Sequence, residues 1–206
     1  LSSCVPSSPF ETSGAKLGIG EIRKFLDTKF VVGLGEVMDC PAVLRGDARK
    51  LEMISAALER KLVVDGHCPG MRGKELFGYM SAGISSDHES VTFDEVLEKA
   101  RLGMKIMLRE GSAAKCLGDF IPGLLRDGIS FENFFFCTDD KHPADLISGH
   151  MDALVRTAIR LGIDPVQAIS MATINTARHY RIDQLVGSIS IGRRANLVVL
   201  DDIEDF

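Results

Sequence analysis

An α/β fold of parallel βα units, forming the later part of an eight-unit barrel, is what this 206-residue sequence predicts. Three observations carry the prediction. Short β-branched or aromatic runs alternate with amphipathic segments five times along the chain. No internal repeat, low-complexity tract or flexible linker interrupts that alternation. A complete barrel of this kind takes about 250 residues, so five strands with their helices make up part of one.

The elements follow in order. Lys29 to Leu34 (KFVVGL) is a β-branched run ending in Gly, the pattern of a buried strand. Asp47 is placed to cap a helix through about Lys61, with Leu51, Ile54, Ala57 and Leu58 on one face. Leu62 to Asp65 (LVVD) is the next strand, and a Gly/Pro-rich loop follows it. Ala82 to Asp87 (AGISSD) is a weaker strand. Thr92 and Glu95 form a capping-box pattern for a helix that stops at Gly103. Lys105 to Leu108 and Asn133 to Thr138 are two more strands. Helices are expected at Leu146 to Leu161 and from Asp164 to about Tyr180, the second with Pro165 in its first turn. The tail departs from the alternation. Gly187 to Asp201 (GSISIGRRANLVVLD) predicts two short strands around a Gly-Arg turn.

Composition narrows the function classes. With 45% hydrophobic and 26% charged residues the chain is typical of soluble globular domains. A net charge of −5 supplies no basic footprint, which argues against nucleic acid or an anionic membrane as the main partner. No apolar run approaches the roughly 20 residues of a membrane span. The five cysteines are scattered, with no CxxC pair, and predict reduced thiols in a cytoplasmic protein. The opening LSSCVPSSPFETSGAK has neither an initiator Met nor a signal-peptide layout, and predicts the middle of a larger protein.

Chemistry enters by position. Glu36 follows FVVGLG, His67 follows LVVDG, His88 follows GISSD and Asp139 follows FFFCT. In a βα barrel the C-terminal strand ends converge on one face, where catalytic residues are found. Two imidazoles and two carboxylates arriving there make a mixed nitrogen and oxygen site suited to Zn, Mn or Fe. Taken singly, each residue has a plainer reading: a loop imidazole, a capping acid, a solvated carboxylate. Asp139 and Asp140 both suit a turn cap. What argues for a site is the joint pattern, the same end of four different strands.

Several blocks carry a resemblance. GLGEVM (33–38), DGHCPG (65–70), AGISSDHES (82–90), LREGSAAK (108–115) and CTDD (137–140) resemble the adenine deaminase family of the metal-dependent amidohydrolase superfamily. So do SCVPSSPFETSGA near the start and GSISIGRRANLVVLDD near the end. The resemblance implies residues 1–183 as a partial metal-dependent (β/α)8 TIM-type barrel. Residues 184–206 would then begin the return into a small β-sandwich. It also implies hydrolytic deamination of adenine to hypoxanthine and ammonia by a metal-activated hydroxide, in purine salvage. Two divalent ions are implied, Mn or Fe, with Zn as the alternative. Glu36 would bridge them, where many relatives carry a carbamylated Lys. His67 and His88 would bind the second ion and Asp139 the first, with Asp139 or Asp140 shuttling the proton. Glu89 is a candidate for binding the purine or relaying a proton, with a solvated acid as its other reading. Arg109 and Ser112 are candidates to touch substrate, although Arg109 paired with an acid is the simpler expectation. A homo-oligomer acting on a small purine base is expected.

Departures bear on this reading. The family's HxH pair occurs nowhere in the chain, and DCPAV (39–43) stands where a Pro-Gly turn is expected. The short H-x-E and P-C-x-x-C signature of nucleic-acid deaminases is absent as well. Two alternatives follow: another amidohydrolase acting on a cyclic amide or amine, or a non-catalytic fragment or scaffold. Cys68, His142 and His150 are expected to be non-ligands.

Overall fold

The computed structural model describes residues 1–3 and 10–203, so Cys4 lies outside it. The chain is α/β with parallel strands and forms two compact units, Leu1–Met104 and Lys105–Phe206.

In the first unit the order is α1 (Ile19–Leu26), β1 (Gly33–Val37), α2 (Cys40–Leu44), α3 (Ala48–Glu59), β2 (Val63–Gly66), α4 (Gly73–Ser81), β3 (Ser86–Asp87) and α5 (Phe93–Arg101). β1 and β2 pair in parallel with Gly33 opposite Val63 and Leu34 opposite Val64, and β2 continues the parallel set with Asp65 opposite Ser86 of β3. Leu34, Val64, Ile54, Leu76, Ile84 and Val96 are buried and form the core of this unit. The helix starts expected at Asp47 and Thr92 are present. Asp47 Oδ1 accepts the Lys50 amide at 3.0 Å, and Thr92 Oγ1 accepts the Glu95 amide at 3.3 Å.

Three expectations change here. The first strand begins at Gly33 rather than Lys29, and Phe30 is 82% exposed. Apolar composition marks the run, but the strand lies where the ladder with Val63 and Val64 forms. The AGISSD segment is a strand only at Ser86–Asp87, because Ala82 caps α4 and Gly83 turns the chain with φ of +97°. Helices α1, α2 and α4 were not expected. α1 and α4 carry internal glycines that weaken a helical pattern, and α2 starts from the DCP motif, where Asp39 Oδ1 accepts the Ala42 amide.

The second unit runs β4 (Lys105–Arg109), α6 (Leu117–Arg126), a 3-10 turn at Phe131–Asn133, β5 (Phe134–Cys137), a 3-10 segment at Pro143–Ser148, α7 (Met151–Arg160), α8 (Pro165–Ala172) and α9 (Ile174–His179). β4 and β5 are parallel over four matched positions, from Ile106 opposite Phe134 to Arg109 opposite Cys137. Phe134, Phe135 and Phe136 are all buried, as suits a parallel strand covered on both faces. Asn175 ties α9 to this strand, its amide donating to the Phe131 and Phe134 carbonyls at 3.0 and 2.9 Å.

Expectations shift in this unit too. The helix expected from Leu146 starts at Met151, after the 3-10 segment and Gly149 at φ +116°. The helix from Asp164 breaks at Thr173 into α8 and α9. α6 was hidden in the sequence by its internal Pro122. The two strands expected across residues 187–201 are not formed. Among the described residues that stretch holds a turn closed by Arg193 N–H to Ser190 O, with Ile191 and Val199 exposed. A strand needs a ladder partner to satisfy its backbone, and no described segment supplies one here.

Two contacts bring the ends of β1, β2 and β3 together. A Cβ built on Gly66 would lie 2.5 Å from the Ser86 carbonyl and 2.7 Å from Ile84 Cγ2. The buried Tyr79 hydroxyl donates to the Val37 carbonyl at 2.5 Å and accepts the His67 amide at 3.1 Å. Gly66→Ala is therefore expected to lose about 1–3 kcal/mol in urea unfolding through overpacking. Parent-like stability would show that this approach is not close. Tyr79→Phe removes the partner of a buried carbonyl and of a part-buried amide and is expected to lose about 1–3 kcal/mol in the same assay. An unchanged midpoint would deny that role.

Candidate metal centre

Glu36, His67 and His88 reach one place from three strand ends. Glu36 is the fourth residue of β1, His67 directly follows β2, and His88 directly follows β3. Glu36 Oε2 lies 3.1 Å from His67 Nδ1 and 2.7 Å from His88 Nε2, and one donor atom from each residue falls within 4.8 Å of the others. The imidazole rings meet edge to face, their centroids 5.3 Å apart. Glu89, the residue after His88, brings Oε1 to 4.0 Å from His67 Nδ1.

The electrostatics suit a cation. Burial would raise the Glu36 carboxyl, but the hydrogen bonds from His67 and then His88 outweigh it and hold the group down at about 2. A carboxylate and two imidazoles, partly buried and pointing at each other, are a borderline donor set suited to Zn, Mn or Fe. On the chemistry of these donors, the residues fit a divalent transition metal.

Neighbouring groups fix the ligands. Cys40 Sγ–H donates to the His67 carbonyl at 3.0 Å, and burial pushes this thiol up to about 11. The wholly buried Asp87 accepts the Cys68 amide through Oδ1 at 2.8 Å, tying the loop after β2 to the end of β3. Cys68 is buried with its thiol pushed far up, first by burial and then by Asp87, and its Sγ lies 3.4 Å from Asp87 Oδ1. Sequence reasoning missed Tyr79, Cys40 and Asp87 as supports. Their side chains matter through partners up to 42 positions away, a separation no local pattern reports.

The remaining candidates belong to the second unit. Arg109, the last residue of β4, donates through Nη1 to Asp139 Oδ2 at 2.6 Å. Asp139 sits in the left-handed region at φ +52°, which Asp tolerates better than most residues. The loops are cross-tied: Ser112 N–H donates to the Asp140 carbonyl at 3.0 Å, and Ser112 Oγ accepts the His142 amide at 2.6 Å. Asp140, His142 and His150 are exposed; His150 Nε2 lies 3.3 Å from Thr138 Oγ1.

Known proteins match along the whole chain. The amidohydrolase family pattern spans residues 2–206. A protein named adenine deaminase from Methanococcoides burtonii is 58% identical over 206 residues, covering 100% of this chain and 35% of that protein. Namesakes from Methanothermobacter thermautotrophicus and Clostridium acetobutylicum are 49% and 46% identical, covering 99% and 100% of this chain and 36% of each protein. The chain thus spans little more than a third of the length of the curated relatives it matches. Among solved structures, an enamidase superposes with a TM-score of 0.61 at 15% identity, over 89% of this chain and 51% of that one. An N-acetylglucosamine-6-phosphate deacetylase from Pasteurella multocida gives 0.53 at 13%, over 86% and 66%. At such identities the likeness concerns the fold alone. With its βα units, its converging acid and imidazoles and a family match from end to end, the chain belongs to the amidohydrolase family.

Proposed function

We propose that this chain is part of a hydrolase that converts adenine and water to hypoxanthine and ammonia. The observation that carries the reading is the convergence of Glu36, His67 and His88, in a chain up to 58% identical to proteins named adenine deaminase. Glu36, His67 and His88 would hold a divalent ion, with Glu36 shared between two in the full protein and Asp139 serving the other. Mn or Fe is the preferred identity and Zn the alternative. When bound, such ions supply Lewis acidity and hydroxide at neutral pH.

The chain's own residues divide the other tasks. Glu36 contributes the negative charge that offsets the cations. A neutral imidazole at His67 and at His88 would offer a lone pair, and the His67 backbone is held by Tyr79 and Cys40. Water adds at C6 of the base, the C6–N bond breaks, and Asp139 or Asp140 passes a proton to the departing amine. Glu89, whose Oε1 lies 4.0 Å from His67 Nδ1, is the candidate to hydrogen bond the purine ring or relay a proton. Arg109 holds Asp139 in place and, with Ser112, is the candidate for substrate contact. Selection of adenine would rest on hydrogen bonds to its ring nitrogens, because an unmet polar group in a buried site is costly.

The wider reading has residues 1–183 as barrel and 184–206 as the start of a β-sandwich. It has the protein cytoplasmic, homo-oligomeric and serving purine metabolism, with neither nucleic acid nor membrane as partner. Among the described residues no helix is long and apolar enough to cross a membrane.

In the full-length protein loaded with Mn²⁺, adenine-dependent ammonia release is expected, and Glu36→Gln is expected to lower its rate at least about a hundredfold. Retained metal with untouched adenine would sink the substrate assignment. Chelator treatment should abolish the release and added Mn²⁺ restore it, whereas chelator-resistant turnover would remove the metal from the reading.

A further inference from the structure

A second polar cluster lies one residue from each imidazole, and the chemistry above leaves it unused. Lys99, on α5, is 0% exposed. Its Nζ lies 2.8 Å from the Cys68 carbonyl, 3.0 Å from Asp87 Oδ2, 3.0 Å from Ser90 Oγ and 3.4 Å from Glu95 Oε1. Cys68 follows His67, Asp87 precedes His88, and Ser90 lies two residues beyond it. One ammonium therefore grips both segments that carry the imidazoles.

The anions complete the tie. Asp87, also 0% exposed, accepts the Cys68 amide on Oδ1 and the Ser90 hydroxyl on Oδ2, at 2.8 and 2.7 Å. Glu95, 2% exposed, accepts the Gly70 amide on Oε1 at 2.5 Å, and the Val91 and Thr92 amides on Oε2 at 3.1 and 2.9 Å. Burial would raise Asp87 and lower Lys99, but the charge of each outweighs that and moves the other the opposite way, Asp87 down and Lys99 up.

Stability alone is a poor reason for such a cluster. Taking these charges out of water costs several kcal/mol per ion, and well-packed apolar side chains often do as well or better. What apolar packing cannot do is hold two loops in register through directed hydrogen bonds.

We propose that Lys99, acting through Asp87 and Ser90, is a positioning residue for the metal site, setting the separation and aim of His67 and His88. The inference rests on the metal reading given above. It extends that reading to a residue that touches neither ion nor substrate.

The test uses the full-length protein, stripped of metal and titrated with Co²⁺, read by the visible absorption of the bound ion. Lys99→Met keeps the length and apolar stem. Ser90→Ala removes one hydroxyl from the cluster, and Leu154→Ala, in the core of the second unit, is a control for stability alone. Co²⁺ dissociation constants are expected to rise at least about tenfold in Lys99→Met, with a shifted absorption band, and several-fold in Ser90→Ala. Leu154→Ala is expected to lower the thermal midpoint and leave the Co²⁺ spectrum unmoved. Should Lys99→Met fail to fold, Ser90→Ala decides the matter. Parent affinity and spectrum in the folded cluster variants, or an equal shift in Leu154→Ala, would overturn the inference. A parent protein that binds no Co²⁺ would overturn the metal reading, and this inference with it.

Discussion

Close packing of three strand ends is the constraint on which the first unit depends. Adjacent strands ordinarily lie about 4.8 Å apart, with side chains filling the space above and below the sheet. At Gly35 a Cβ would fall 2.8 Å from Asp65 Cβ, and at Gly66 one would collide with the Ser86 carbonyl. Each of these glycines immediately precedes a candidate ligand, Glu36 or His67. A larger residue there would spread β1, β2 and β3, and the 2.7 Å and 3.1 Å contacts of Glu36 with the imidazoles would open.

The polar groups at these ends are met by partners distant in sequence. Tyr79 bridges the Val37 carbonyl and the His67 amide, while Asp87, Glu95 and Lys99 serve the loops after β2 and β3. These bonds form in a low-dielectric setting, where a fully satisfied network is rigid and a broken one is costly. Exposed pairs such as Arg72 with Glu98 and Arg23 with Glu52 differ in kind: solvent screens them and each contributes little. Rigidity is therefore concentrated behind the candidate ligands, the part of this unit where geometry has chemical consequences.

Signals confined to a few neighbouring residues were the legible ones. The caps at Asp47 and at Thr92 with Glu95 involve partners three positions apart, Pro165 stands directly after Asp164 in the first turn of α8, and all three signals start helices. The runs LVVD, KIML and NFFFCT became strands within a residue or so of their expected bounds. Weaker local signals misled. KFVVGL is apolar enough for a strand, but pairing begins at Gly33, and Pro122 disguised a helix whose partners lie elsewhere in the core. Thr173 split a helix that its periodicity alone would have continued.

The site divides along the same line. By itself the sequence determined the outline of alternating strands and helices, the caps at Asp47 and Thr92, and the placing of Glu36, His67 and His88 at or just past strand ends, because each depends on backbone preferences and side chains within a few residues. Only the tertiary structure decided that Glu36 Oε2 meets both imidazoles across 31 and 52 positions of chain, and that Lys99 is a buried tie rather than one more solvated lysine on a helix. The physical reason is the ladder. Parallel pairing of β1 with β2 and of β2 with β3 sets which residues of distant segments stand side by side, and that register arises from the packing of the whole unit.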